Sequence, residues 1–369
     1  MRDTDGMFST GQDSEGRLEI LYLGSNNGTS LQRAQSLRRL GHAVSILDPE
    51  RHLPSGRLPQ SWMHHTGALG FGSFVRTRVN AEVGEAEFDV IWVDGGSLIS
   101  PELLRDLKSH ARVTINYNID DPYGTRDSNK WRLYRRAVPE YDLVVVVRDC
   151  NLAEAFQLGA KDALLVLRSA DEVAHAPRQL SSADVERWAS EVAFVGTWLP
   201  ERGAFLARLI QLGVPLALWG DRWMNAGEAA ILRPCWRGPA IYGDDYALAI
   251  QSAKVCIGML SKGNRDLSTT RTFEIPHLGG LLCAERTREH EALYQEDVEA
   301  VFWSSADECA EKCDRLIRDE RRRVEVARRG RLRCLRNRTT NQHVMKHILS
   351  RVTARLRPQA AELSSRCQQ

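Results

Sequence analysis

The chain has 369 residues, of which 43% are hydrophobic, and its 50 lysines and arginines nearly balance 48 aspartates and glutamates. One hydrophobic core rarely organises a chain of this length, so we expect two domains. The formal net charge of +2 gives no overall electrostatic reason to bind nucleic acid or an anionic membrane. These totals favour a small-molecule partner.

The eight cysteines are scattered along the chain, and none forms a CxxC pair or stands at zinc-finger spacing. We therefore expect reduced thiols and no structural metal. Residues 1–16 are polar and lack an apolar run, which predicts a disordered lead-in rather than a secretory signal. Strongly apolar stretches such as residues 143–147 are far shorter than the roughly 20 residues of a membrane span. We expect a cytoplasmic protein without a membrane span.

The N-terminal half alternates short, β-branched apolar runs with segments of helical period. The runs are residues 18–24, 43–48, 88–96, 112–118, 141–147 and 163–167. Continuous apolar strands of this kind are buried on both faces, which is typical of a parallel sheet between two layers of helices. The pattern predicts a Rossmann-like acceptor domain over residues 17–170, with a first crossover helix at residues 31–40 and acceptor-binding loops at residues 54–79.

The pattern breaks at residues 171–190, where Ser, Pro and charged residues predict a linker. Apolar runs then restart at residues 191–197, 214–220, 254–260, 280–285 and 300–303. They predict a second Rossmann-like domain over residues 191–340, followed by a helix at residues 341–358 that packs back on the first domain and a frayed tail at residues 359–369. The predicted fold class is α/β, with two doubly wound parallel-sheet domains facing each other across a cleft.

Residues 307–338 form a helical stretch dense in arginine. We expect the arginines to lie on a solvated face, with Leu316, Val324, Ala327 and Leu335 turned to the core. A nucleic-acid patch is the less favoured interpretation, because no aromatic residues that could stack on bases are interleaved.

The most informative segment is residues 261–303, in which a polar loop leads into a helix that begins near Arg271 and ends at Gly279. A helix N-terminus offers unpaired N–H groups and a positive dipole end, both of which suit a diphosphate. Lys262, Arg265 and Arg271 can add charge-assisted hydrogen bonds. One turn into the helix, Glu274 can accept hydrogen bonds from two neighbouring ribose hydroxyls.

The run RTFEIPHLGG at residues 271–280, followed by AERTREHEALYQEDVEAVFW, resembles the signature of the CgeB-like (spore maturation protein-like) glycosyltransferases. The resemblance extends to AFVGTWLPERGAFLARLIQLGVPLALWGDRW at residues 193–223 and, more loosely, to the N-terminal half. It implies a group-1-related enzyme of GT-B fold, in which the second domain holds the nucleotide-diphosphate sugar donor.

Carried over by residue, the resemblance implies that Glu274 holds the nucleotide ribose and Arg271 the diphosphate. The remaining residues that we assign to the donor site are Gly196, Thr197, Arg202, Gly220 and Thr270. Related transferases carry a Glu-x7-Glu pair, and here Asp266 takes the place of the first glutamate. An alternative remains open, in which Glu274 forms an ion pair with Arg271 and Gly196 only turns the chain.

An acceptor hydroxyl must lose its proton during sugar transfer, and a carboxylate or histidine in the first domain is the usual kind of base. Asp120 and Asp121 directly follow a predicted strand and are the candidates, although Asp-Asp-Pro-Tyr-Gly is also typical of a turn. On the same side of the cleft, Gly24, Ser25 and Gly28 open the first helix and can admit a ligand close to the backbone.

The sequence predicts neither a metal nor a further cofactor. No GxGxxG motif indicates a nicotinamide site, and no HxxxH or DxD-like motif indicates a required divalent ion. We expect a metal-independent glycosyltransferase that uses a nucleotide-diphosphate sugar as co-substrate and an unidentified acceptor. The alternative is a catalytically inactive nucleotide-sugar-binding partner of another transferase.

Overall fold

The computed structural model describes residues 16–356, except for 54–60, 63–64, 69 and 128. Nearly all of the expected lead-in, the whole of the expected tail and the first part of the expected acceptor loops lie outside the described residues. The predictions for them stay predictions.

The first sheet contains six parallel strands in the order β2-β1-β3-β4-β5-β6. They are β1 (Glu19–Leu23), β2 (Ala43–Leu47), β3 (Phe88–Asp94), β4 (Ala111–Asn118), β5 (Leu143–Val146) and β6 (Ala163–Leu165). The four residues of β5 are fully buried because helices cover both faces of the sheet. This is the doubly wound arrangement that the apolar runs predict.

The helices around this sheet are α1 (Gly28–Arg39), α2 (Gly72–Val83), α3 (Pro101–Lys108), α4 (Arg132–Ala137) and α5 (Asp149–Gln157). Helix α2 shows that the prediction of a loop over residues 54–79 is wrong for its last part, residues 72–79. Val75, Val79 and Val83 recur every four residues and are buried in the core of the first domain, which is a helical period. The glycines before the helix conceal this period in the sequence.

The second sheet also contains six parallel strands, in the order β12-β11-β10-β7-β8-β9. They are β7 (Ser190–Val195), β8 (Leu216–Trp219), β9 (Trp236–Gly238), β10 (Ala253–Gly258), β11 (Leu282–Glu285) and β12 (Val301–Trp303). The sequence analysis misses β9, a three-residue edge strand with two partly buried residues and one exposed residue, which gives no apolar run. The other five strands lie at the predicted runs.

The helices of the second half are α6 (Ser182–Trp188), α7 (Pro200–Gln211), α8 (Ala229–Leu232), α9 (Gly243–Ser252), α10 (Thr270–Leu278), α11 (Arg288–Leu293), α12 (Ala306–Arg318), α13 (Glu320–Arg336) and α14 (Asn341–Leu356). The arginine-dense stretch is two helices, and the side chain of Asp319 between them accepts a hydrogen bond from the backbone of Arg322. The predicted orientation is wrong for Val324, which is 56% exposed, and for Leu335, which is 40% exposed.

Helix α14 returns from the second half of the chain to the first sheet. Val344, Ile348 and Val352 are buried in a core cluster that also contains residues of β1 and α1. Two backbone hydrogen bonds, from Ala170 to Thr339 and from Asn341 to Ala170, join the two stretches where the chain passes between the domains. Within the described residues, no helix combines the length and the apolar character needed to cross a membrane.

Ile348 tests the contribution of this returning helix. We expect Ile348→Ala to lower the free energy of unfolding by about 2–5 kcal/mol, because the fully buried side chain leaves a cavity. The exposed Lys346→Ala on the same helix should change it by less than about 0.5 kcal/mol. Chemical denaturation followed by circular dichroism measures both, and equal effects would show that α14 does not stabilise the first domain.

Candidate active site

A cavity of about 240 Å³ opens beyond the carboxyl ends of β7 and β10. These strands are neighbours at the centre of the second sheet, where the strand order reverses, and ligands of doubly wound folds bind at such a point. Its lining residues are Phe194, Val195, Gly196, Thr197, Arg202, Ala240, Ile241, Tyr242, Met259, Thr269, Thr270 and Arg271. We call it the C-domain cavity.

Arg202 gives this cavity a positive charge that no carboxylate neutralises directly. Its guanidinium donates to the backbone carbonyls of Thr197, Met259 and Leu260 at 3.0–3.3 Å, and no carboxylate of the described chain lies within ion-pair distance. Burial and the nearby cations Arg271 and Arg126 lower the pKa of Arg202 to about 10 against the opposing charge of Glu201. The arginine stays charged at neutral pH and is poised for an anion.

Arg271 and Glu274 lie one helical turn apart at the start of α10 and form an ion pair. Arg271 also lies over the ring of Tyr246, 4.3 Å from its centroid, and lines the cavity. Glu274 lies beneath, only 2% exposed, and accepts a hydrogen bond of 3.0 Å from the Tyr246 hydroxyl. Burial raises the pKa of Glu274, but the charge of Arg271 and the hydrogen bonds from Arg271 and Tyr246 help to lower it below its ordinary value.

Two glycines of the predicted donor site shape the turn after β7. A Cβ on Gly196 would lie 2.9 Å from the Phe194 ring. Gly220 has a φ of +148°, and a Cβ there would lie 2.0 Å from the carbonyl oxygen of Gly196. Gly196 therefore lines the cavity, whereas Gly220 lies behind it and allows β7 and β8 to approach.

Two cations that the sequence analysis assigns to the phosphates are engaged elsewhere. Lys262 forms an ion pair with Glu285. Arg265 donates to both oxygens of Asp121, at 2.6 and 2.7 Å, and to Glu154 at 2.7 and 3.0 Å. Neither residue lines the C-domain cavity. Arg265 instead joins the loop before α10 to the first domain.

Asp266 lies at the centre of the contact between the domains. One of its carboxylate oxygens accepts hydrogen bonds from Arg148, at 2.9 Å, and from Arg168, at 2.6 Å, and all three side chains are at most 6% exposed. Arg148 also donates to the backbone carbonyls of Ile119 and Asp120, at 3.1 and 2.8 Å. The same arginine therefore fixes both the loop before α10 and the loop that carries the candidate base.

The two candidate bases have different surroundings. Asp121 is buried and bound by Arg265, Asn151 and the backbone of Gly124. Although burial raises its pKa, the hydrogen bonds from Arg265 and Asn151 lower it below the ordinary value. Asp120 is 45% exposed, with one oxygen 3.9 Å from the Lys130 ammonium. Of the two, Asp120 has the accessible carboxylate.

Asp120 lines a second cavity, of about 200 Å³, at the carboxyl ends of β1, β3 and β4 in the first domain. We call it the N-domain cavity; its lining residues are Leu23, Gly24, Ser25, Ser30, Arg33, Asp48, Pro49, Glu50, Asp94, Gly95, Gly96, Ser97, Leu98, Ile99, Asn118, Ile119, Asp120, Lys130 and Trp131. The sequence analysis predicts Gly24, Ser25 and Gly28 on the acceptor side of the cleft, and Gly24 and Ser25 do line the N-domain cavity. Gly28 does not; it starts α1 with a φ of +52°.

Comparison with known proteins shows which family and which fold the chain resembles. Residues 202–350 match a family model described as glycosyl transferase-like. The match covers less than half of the chain, so it shows that the second half is similar to glycosyltransferases. No curated protein sequence matches it.

Solved structures that cover about nine-tenths of the chain show the GT-B fold. Sucrose-phosphate synthase from Thermosynechococcus elongatus superposes with a TM-score of 0.64 at 11% identity, over 91% of this chain and 99% of that one. HepE of Anabaena in complex with UDP-glucose superposes with a TM-score of 0.62 at 11% identity, over 92% of this chain and 100% of that one. A glycosyltransferase from Rickettsia africae superposes with a TM-score of 0.58 at 11% identity, over 93% of this chain and 99% of that one.

Sequence reasoning on this GT-B chain misses the residues that join its two halves. Arg126 reaches Ser261 across the cleft, and Arg148 and Arg168 reach Asp266. The sequence does contain a signal for Arg148, because a charged residue two positions after the buried strand β5 lies at the edge of the sheet where ligands bind. Nothing local in the sequence pairs it with Asp266.

One group of side chains in the described chain could hold a metal ion. The sulfur atoms of Cys283, Cys309 and Cys313 lie within 4.8 Å of one another. All three are buried in the core of the second domain, and none lines either cavity. The sequence analysis predicts no metal site and does not predict that these three cysteines lie together.

Asp266 tests the contact between the domains. Asp266→Asn leaves two buried arginines without their counter-charge, so we expect a loss of about 3–5 kcal/mol in the free energy of unfolding. Asp307→Asn, which breaks the exposed pair with Arg208, should lose less than about 1 kcal/mol. Denaturant titration compares the two variants, and similar losses would contradict a structural role for the Asp266 contact.

The ion pair beneath the C-domain cavity predicts a pH dependence. Since the pKa of Glu274 is lowered from 4.5, its contribution to stability is complete above that pH and is lost as the pH falls through the lower folded-state value. The difference in Tm between the wild type and Glu274→Gln should be constant above about pH 5 and shrink below it. The control is Glu186→Gln, a change at an exposed position. If the difference in Tm between the wild type and Glu274→Gln stays constant down to the pH of acid unfolding, Glu274 is not ionised in the folded protein.

Proposed function

We propose that the chain transfers a sugar from a nucleotide-diphosphate donor to an acceptor hydroxyl without a metal ion. One observation carries the proposal: Arg202, Arg271 and the start of α10 converge on a cavity at the reversal point of the second sheet. Guanidinium groups and helix N-termini are the usual protein partners of a diphosphate. The same groups would stabilise the negative charge that develops on the leaving nucleoside diphosphate.

We propose a uridine diphosphate sugar as the donor. HepE, a fold relative of this chain, is known in complex with UDP-glucose. In the present chain Gly196, Thr197 and Thr270 would meet the phosphates, because they line the cavity beside the two arginines. Lys262, Arg265 and Gly220 would support the neighbouring loops rather than contact the donor.

The proposed role of Glu274 as the ribose ligand depends on a rearrangement. In this structure its oxygens face Arg271, Tyr246 and His175. A diphosphate that attracts Arg271 would free one carboxylate oxygen for the ribose hydroxyls, and the carboxylate is already ionised. The alternative left open by the sequence, an ion pair with Arg271, describes the state without donor.

For the chemical step we propose Asp120 as the general base. The acceptor oxygen attacks the anomeric carbon while the bond to the phosphate oxygen breaks, and the hydroxyl proton passes to the Asp120 carboxylate. Asp120 suits this role because it is accessible, lines the N-domain cavity and is oriented by Arg148. Asp121, bound by Arg265, would hold the domains in place instead.

Three narrower points complete the proposal. The CgeB-like motif at residues 271–280 supports that subgroup. The free cysteines of the described chain, most of them buried, suit a reducing compartment such as the cytoplasm. The nucleotide sugar is the co-substrate, and we propose no additional cofactor.

Donor binding is tested by thermal shift with UDP, UDP-glucose and a nicotinamide dinucleotide. We expect UDP and UDP-glucose to raise Tm, and Arg202→Gln to weaken UDP binding by about tenfold or more, because it removes a charge-assisted contact. Arg208→Gln on the same helix α7 is exposed and should bind like the wild type. Stabilisation by the nicotinamide compound and not by UDP would reject the proposal.

Turnover is tested by measuring UDP release from UDP-glucose with a library of hydroxyl acceptors. Asp120→Asn should keep the affinity for UDP and lower kcat by about 10²–10⁴, the usual contribution of a general base. Asp314→Asn, an exposed change on α12, is the matched control. If the wild type binds UDP-glucose and its release rate equals that of Asp120→Asn, the catalytically inactive alternative is the better description.

A further inference from the structure

The N-domain cavity has a charge pattern opposite to that of the C-domain cavity. Six charged side chains line its described part: Arg33, Asp48, Glu50, Asp94, Asp120 and Lys130. Four of these are acidic and two are basic. A bound acceptor would interact mainly with those charges that no neighbouring side chain neutralises.

Arg33 and Asp94 neutralise each other. The guanidinium donates to both carboxylate oxygens, at 2.7–3.1 Å, and both side chains are buried. The guanidinium also lies 5.2 Å from the ring centroid of Tyr117. This pair forms a closed part of the wall and leaves no net charge for a ligand.

Once Arg33 and Asp94 are set aside, the described wall keeps the carboxylates of Asp48, Glu50 and Asp120 and the ammonium of Lys130. Lys130 lies 3.9 Å from an oxygen of Asp120 and 4.5 Å from the ring centroid of Trp131. Asp48 accepts hydrogen bonds from the backbone of Asn26 and Glu50, which orient its carboxylate without neutralising it. Within the described residues, no hydrogen bond or ion pair holds the carboxylate of Glu50. The described wall therefore carries an excess of two negative charges.

The surroundings of Glu50 show the effect of this excess. Although Glu50 is exposed, partial loss of surrounding water and the neighbouring Asp48 carboxylate raise its pKa, and the ammonium of Lys130 only partly opposes them. A second cation in the cavity would lower the electrostatic energy of both carboxylates. A shared metal ion does not fit, because in the described chain no three of these carboxylates come close enough to coordinate one ion.

We propose that the acceptor carries a positively charged amino group beside its reacting hydroxyl, as in an amino sugar or an amino alcohol. This inference rests on the proposed function, since it assumes that the N-domain cavity holds the acceptor next to Asp120. Glu50 and Asp48 bind the ammonium group, and Asp120 faces the hydroxyl. A cavity of about 200 Å³ takes one small unit of such an acceptor.

The same charges discriminate against anionic acceptors. A phosphorylated or carboxylated sugar would place a negative group among Asp48, Glu50 and Asp120, and a like charge inside a cavity is repelled. The donor diphosphate, by contrast, is attracted to Arg202 and Arg271 in the other domain. Opposite charges in the two cavities would direct donor and acceptor to different sides of the cleft.

The experiment measures binding of matched sugars to the UDP-loaded protein by calorimetry, near neutral pH and at low salt. The series is glucosamine, glucose and glucose 6-phosphate, with galactosamine and galactose as a second pair. We expect each amino sugar to bind about fivefold or more tightly than its neutral partner, the value of one close charge pair in water, and the phosphate to bind more weakly than glucose. Salt should reduce the preference.

Glu50→Gln is the diagnostic variant, because it keeps the shape of the side chain and removes one charge. It should reduce the preference for the amino sugars by about half or more on a logarithmic scale. Glu85→Gln, an exposed change in the turn before β3, should keep the wild-type preference.

The possible outcomes distinguish a failure of the proposed function from a failure of the proposed acceptor class. Failure of UDP to bind would reject the proposed function itself. If UDP binds but the amino sugars show no preference, or no sugar of the series binds, or the phosphate binds best, the proposed acceptor class is wrong while the donor site stands. A preference that survives Glu50→Gln unchanged would also overturn it, because the cation would then be recognised elsewhere.

Discussion

The arrangement of the cleft depends on one buried carboxylate. Asp266, in the loop before α10, is held by Arg148 and Arg168 from the first half of the chain. Buried charges are stable only when they are paired, so the three side chains must stay together for the domains to stay in contact. Because Arg148 also binds the carbonyls of Ile119 and Asp120, this contact fixes the position of the candidate base relative to the donor loop.

The two cavities on either side of this contact have complementary chemistry. The C-domain cavity presents Arg202, Arg271 and the start of α10 to an anion. In the described part of the N-domain cavity, three carboxylates remain after Arg33 has paired with Asp94. In the proposed reaction, the leaving diphosphate and the acceptor that loses a proton need opposite electrostatic surroundings, and the side chains of the two cavities have opposite charges.

The sequence predicts the fold well because both domains have buried parallel strands, whose continuous apolar runs are visible without any tertiary information. It fails where local signals are weak or misleading: β9 has no apolar run, and the valines of α2 stand behind glycines. Val324 and Leu335 show a different limit, since an apolar residue in an arginine-dense helix need not face the core. For the candidate site, Gly196, Thr197, Arg202, Thr270 and Arg271 meet in one cavity. Arg265 and Asp121 instead bind each other, a pairing between distant segments that no local pattern reveals.

The most direct test of this account is a crystal structure of the protein with UDP. We predict the diphosphate in the C-domain cavity, with its oxygens within hydrogen-bonding distance of Arg202, Arg271 and the first N–H groups of α10, and with Glu274 turned to the ribose. Asp266 should still be held by Arg148 and Arg168. UDP bound outside this cavity, or a diphosphate that contacts neither arginine, would contradict the account.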